Sequence, residues 1–71
     1  MTPAEIAVLT ALRPNLPLNS TQIQQAARLT AARTRNALSQ LESRGLIMSS
    51  RPRGRYRITP RGRAALITKS R

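Results

Sequence analysis

The chain has 71 residues, 39% of them apolar, with 13 Lys and Arg against two acids and a formal net charge of +11. It has no His and no Cys, and its only acids are Glu5 and Glu42. General acid–base catalysis therefore lacks a His or a tuned carboxylate pair, and zinc or calcium lacks a ligand set; neither an enzyme nor a cofactor is expected.

The first helix opens on Thr2-Pro3-Ala4-Glu5, a Thr N-cap, a proline at the first helical position and a Glu placed to return a hydrogen bond to the cap. Ile6, Val8, Leu9 and Leu12 give it an apolar stripe, and Arg13-Pro14 ends it because a residue before proline is pushed out of the α region. Residues 15–18 read as a short extended connection. Asn19 and Gln22 repeat the reciprocal capping pattern, with Leu18 set to staple onto Ile23, and open a second helix over about Ser20 to Ala27. Thr30 caps a third helix. Thr34 through its methyl, with Ala37, Leu38 and Leu41, keeps one face of it buried at spacings of three and four. Gly45 closes it as a left-handed cap.

Beyond Gly45 the period changes to two. Leu46 to Ser50 and Arg55 to Thr59 read as strands of a hairpin whose connection is Arg51-Pro52-Arg53-Gly54. Tyr56 and Ile58 share one face of the second strand and Arg55 and Arg57 the other, so one side is apolar and the other cationic. Tyr56 and Met48 are assigned to the core. Thr59-Pro60 restarts a helix in which Ala64, Ala65, Leu66 and Ile67 offer apolar surface. Every segment carries a usable apolar pattern and no linker divides the chain, so residues 1–71 are read as one domain of α+β class, mainly α.

Charge is unevenly spread. Residues 1–42 carry four Arg and two Glu, a balance of +2, whereas residues 43–71 carry nine Lys and Arg and no acid. Such a field draws polyanions, and nucleic acid is the commonest one in a cell. No apolar run approaches the roughly 20 residues that span a bilayer, and Met1 is followed by Thr-Pro-Ala-Glu rather than a basic and apolar leader. A soluble, cytoplasmic, nucleoid-associated protein with no membrane partner is expected.

Helix, extended segment, helix, helix, hairpin and helix is the order of a winged helix-turn-helix domain: a three-helix core, a two-stranded wing and a short C-terminal helix. Leu18 to Ile47 resembles the DNA-reading segment of MarR-type regulators, with its polar cap, aliphatic pair, tight turn, Thr-capped helix and the close Leu41-Glu42-Ser43-Arg44-Gly45-Leu46-Ile47. Tyr56-Arg57-Ile58-Thr59-Pro60-Arg61-Gly62 is similar to that family's exit from the wing into the next helix. The resemblance implies a transcriptional regulator that binds double-stranded DNA. Arg28 stands where the helix–helix turn commonly carries glycine, so either the turn avoids positive φ or it accepts local strain. MarR proteins dimerise through long flanking helices, for which residues up to Arg71 leave little room, so no small-molecule ligand is expected; pairing of two copies, or cooperative assembly on DNA, would proceed through the last helix.

With Thr34, Ala37, Leu38 and Leu41 inward, helix 30–44 turns Ala32, Asn36, Ser39 and Ser43 outward, flanked by Arg33, Arg35 and Gln40. That face suits a major groove, where Arg meets guanine O6/N7 and Asn or Gln meets adenine N6/N7; an ordinary solvated helix surface would also explain it. In wing 51–57, Arg51, Arg53, Arg55 and Arg57 suit phosphates or a narrow minor groove better than a charge run kept for solubility, being Arg rather than Lys and alternating along a strand. Thr21 and Thr30 are caps that can also donate to phosphate from helix N-termini; Arg28 and Arg44 can touch backbone phosphates, though a cation near a helix C-terminus is also favoured by the macrodipole alone. Two alternatives stay open: an RNA-binding or ribosome-associated module, which would lack the usual aromatic platform, and a winged-helix module that meets an acidic protein.

Overall fold

Local hydrogen-bond chemistry sets the helix boundaries. The computed structural model describes residues 1–14, 16–50 and 54–69, with Thr68 and Lys69 given by backbone alone. Helix α1 spans Pro3–Leu12, and Thr2 caps it in a full capping box. The Thr2 hydroxyl accepts from Glu5 N–H at 3.2 Å, and Glu5 Oε1 accepts from Thr2 N–H at 3.0 Å. Helix α2, Ser20–Ala27, starts in the same way from Asn19 and Gln22. Helix α3, Ala31–Ser43, starts from Thr30, whose hydroxyl accepts from Arg33 N–H at 3.2 Å.

Two helices end in left-handed turns of opposite ease. After α3, Gly45 takes φ +75, its N–H donates to Glu42 O, and Leu46 N–H donates to Leu41 O, a closure that needs no Cβ at the turning residue. After α2 the same pair of bonds forms, Arg28 N–H to Gln25 O and Leu29 N–H to Gln24 O, yet the turning residue is Arg28 at φ 58 and ψ 46. Of the two conformations open to this turn, it takes the strained one.

Strand β1 is Leu18–Asn19, β2 is Ile47–Ser50 and β3 is Arg55–Ile58. They form an antiparallel sheet in the order β1-β3-β2. The expected two-stranded wing therefore gains a third, very short strand. Leu18 pairs with Tyr56 and Asn19 with Arg55, so the segment read as a plain connection is hydrogen-bonded to the hairpin while Asn19 also caps α2. Asn15 and the connecting residues 51–53 lie outside the described residues.

The core is aliphatic: Val8, Leu9 and Leu12 from α1, Ile23 from α2, Ala37, Leu38 and Leu41 from α3, and Leu46, Ile47 and Ile58 from the sheet region. Leu18, Tyr56, Ala65 and Leu66 pack against its edge. Met48 and Ile6 do not take the core places that their apolar character suggests. Met48 is 53% exposed because Ile47, paired with Ile58, takes the inward place, and the alternation then turns Met48 outward opposite Arg57. In α1 the buried place before Val8 belongs to Glu5 rather than Ile6.

Helix α4, Pro60–Lys69, is docked through Thr59. The Thr59 hydroxyl donates to Gly45 O at 2.7 Å and accepts from Gly62 N–H at 3.1 Å, so a single side chain caps α4 and ties it to the turn after α3. Gly62 makes the approach possible: a Cβ there would overlap the Leu46 carbonyl oxygen and lie 2.8 Å from Ile58 Cγ1. Ala65 and Leu66 are half-buried, whereas Ile67 is exposed.

Candidate nucleic-acid interface

The apolar spacing of α3 decides which of its side chains reach solvent. Thr34, Ala37, Leu38 and Leu41 are buried, and Ala32, Arg33, Arg35, Asn36, Ser39 and Gln40 are all exposed. The exposed arc has two flanks. Arg33, Asn36 and Gln40 line a shallow groove of about 300 Å³ with Thr2 and Glu5 at the start of α1. Arg35, Ser39 and Glu42 line a groove of about 350 Å³ with Ser20 and Gln24 of α2 and Tyr56 of β3. Asn36 and Ala32 therefore stand near the middle of a surface bounded by α1 on one side and by α2 and the sheet on the other.

Thr21 is exposed in the first turn of α2, and Thr30 is exposed at the cap of α3. Both sit at helix N-termini, where free amides and the helix dipole favour an anionic group. The Thr30 hydroxyl is already engaged with Arg33 N–H, so what it offers an anion beyond its cap is mainly backbone. Arg28, between these two helix ends, is exposed, and its left-handed backbone carries the side chain out at the corner.

On β3, Arg57 is exposed and lies opposite the outward Met48. Arg55 is half-buried, and its Nη1 donates to Pro17 O at 3.5 Å, a long hydrogen bond that draws the guanidinium toward β1. Arg51 and Arg53 lie outside the described residues. Arg61 and Arg63 are exposed in the first turn of α4 and extend the cationic surface.

Two contacts were not visible in the sequence. Glu5, with its side chain 6% exposed, lies 3.7 Å from Arg44 Nη1, so Arg44 is tied to α1. Glu42 Oε2 accepts from Ser49 Oγ at 2.9 Å and joins α3 to β2. Each joins side chains that belong to separate elements, so no local spacing announces it. The Thr34 hydroxyl is buried without a hydrogen-bond partner among the described residues, at the wall of the groove between α2, α3 and β3.

The pattern is shared with known proteins. The family model described as winged helix-turn-helix matches residues 6–70. BpsR of Bordetella bronchiseptica, whose DNA binding is regulated by 6-hydroxynicotinic acid, superposes with a TM-score of 0.88 at 28% identity, over 99% of this chain and 53% of its own. A MarR family transcriptional regulator of Silicibacter pomeroyi gives 0.81 at 26% identity, over 99% of this chain and 54% of its own. A candidate DNA-binding protein of Ralstonia eutropha gives 0.79 at 28% identity, over 97% of this chain and 96% of its own. The chain thus spans about half the length of the first two. No curated protein matches it.

Proposed function

The chain belongs to the winged helix-turn-helix family, and on that premise we propose that it is a non-enzymatic, sequence-specific regulator of transcription that binds duplex DNA. The observation that carries this reading is the exposed arc of α3, where Arg33, Arg35, Asn36, Ser39 and Gln40 surround the slim Ala32 in a chain of charge +11. Helix 30–44 enters the major groove. There Arg33 and Asn36 read base edges and Arg35, Ser39 and Gln40 support them.

Wing 51–57 grips the adjacent backbone or minor groove through Arg51, Arg53, Arg55 and Arg57. Thr21, Arg28 and Thr30 contact phosphate from the corner between α2 and α3. Residues 1–71 act as one domain, in the cytoplasm on the nucleoid; among the described residues no helix is long and apolar enough to cross a membrane. A single module reads few base pairs, so two copies meet on a palindromic or tandem site.

The expectation of no small-molecule ligand meets a counter-indication, since BpsR is regulated by 6-hydroxynicotinic acid. DNA binding by this chain is accordingly best measured first without added effector. Selection from a random duplex library, with structured RNA as competitor, tests the reading: an enriched motif with half-site symmetry supports it, and capture of RNA in preference to every duplex overturns it.

A further inference from the structure

Glu42 is an anomaly on this surface. The chain has only two acids, and Glu5 is buried against Arg44. Glu42 is exposed in the last turn of α3 and lines the same groove as Arg35 and Ser39. An acid there is disfavoured twice. The negative end of the helix dipole opposes it, and it repels phosphates that come within a Debye length, about 8 Å at physiological salt. Its visible compensation is Ser49. Ser49 lies on the same side of β2 as the buried Ile47, which directs its hydroxyl to α3, where it donates to Glu42 Oε2 at 2.9 Å.

We propose that Glu42 is a positioning residue for DNA discrimination: latched by Ser49, it fixes the first wing strand against the reading helix, while its charge weakens contact with any polyanion. A duplex that engages α3 and the wing together gains from the fixed geometry. A duplex that touches the cationic surface at random gains nothing from it and still meets the carboxylate. Ser49 pairs with Tyr56 across the hairpin, so the latch acts on both wing strands. The inference rests on the duplex-binding reading above.

The test uses the full chain, the duplex enriched from a random library by the wild type, and a scrambled duplex of equal length. Ser49→Ala and Glu42→Ala break the latch, whereas Glu42→Gln keeps an acceptor for Ser49 and removes the charge. The ratio of enriched to scrambled affinity should fall about tenfold in Ser49→Ala and Glu42→Ala, the effect of one lost hydrogen bond. In Glu42→Gln it should stay within about twofold of wild type while both affinities rise by about threefold. Rescue of the ratio by Gln separates positioning from a general loss of stability, which thermal melts of all three variants follow in parallel. Unchanged ratios in Ser49→Ala and Glu42→Ala would overturn the latch alone. A wild type that binds no duplex would overturn the inference and the reading on which it rests.

Discussion

Arg44 Nη1 lies 3.7 Å from Glu5 Oε1, so a cation at the end of α3 is bound back to the first turn of α1. Arg44 is half exposed while the Glu5 carboxylate is nearly buried, and the same carboxylate oxygen accepts from Thr2 N–H. One side chain thus completes a cap and clamps two helices. Replacing it removes a structural tie without removing a cation from the surface.

Glu5→Ala should therefore destabilise the fold by about 1–2 kcal/mol, mainly through the lost capping box, because the half-exposed Arg44 guanidinium regains water when its partner goes. Duplex affinity, measured well below the melting temperature, should change by less than about twofold. Urea denaturation beside a duplex titration checks both; an affinity loss without a stability loss would place Glu5 in the interface instead.

Arg28 separates backbone from side chain. Its left-handed conformation is strained for any residue with a Cβ, so Arg28→Gly should stabilise the fold by up to about 1 kcal/mol. The same change removes a cation from the corner between α2 and α3, and the slope of log affinity against log salt should become shallower by about one. A rise in stability with an unchanged slope would show that Arg28 meets no phosphate.

Gly62 should tolerate no side chain. Because a Cβ there meets the Leu46 carbonyl and Ile58, Gly62→Ala should cost about 1–3 kcal/mol in spite of alanine's better helix propensity. A chemical melt at least as stable as wild type would show that α4 can shift away from the sheet.

The reading helix and the wing should fail differently. Arg53→Ala should weaken all duplexes alike and flatten the salt slope by about one, whereas Asn36→Ala should cost about 1–3 kcal/mol on the enriched site and little on scrambled DNA. Equal losses on both duplexes for Asn36→Ala would remove that residue from base reading.

How much of this was legible in the sequence follows from the range of each interaction. Thr2 with Glu5, Asn19 with Gln22, and the caps Thr30, Gly45 and Thr59 act over three to five residues, and the spacing alone announces them. The outward face of α3 follows from its period for the same reason. Pairing of Leu18 with Tyr56 joins positions 38 residues apart through a two-residue strand, too short to carry an alternation. Met48 illustrates a second limit: the residues beside it fit a period of two in either phase, and only the pairing of Ile47 with Ile58 decides which side faces inward. The Glu42–Ser49 and Glu5–Arg44 contacts depend on how elements pack, which no window along the chain contains.

The most direct measurement is a competition titration of the wild-type chain between the enriched duplex and a scrambled duplex of equal length, repeated from low to physiological salt. With about six phosphates neutralised, log affinity should fall against log salt with a slope near −5, and the enriched duplex should keep a preference of at least about a hundredfold at physiological salt. Equal affinity for the two duplexes, or a slope near zero, would contradict sequence-specific reading by α3 and its arginine wing.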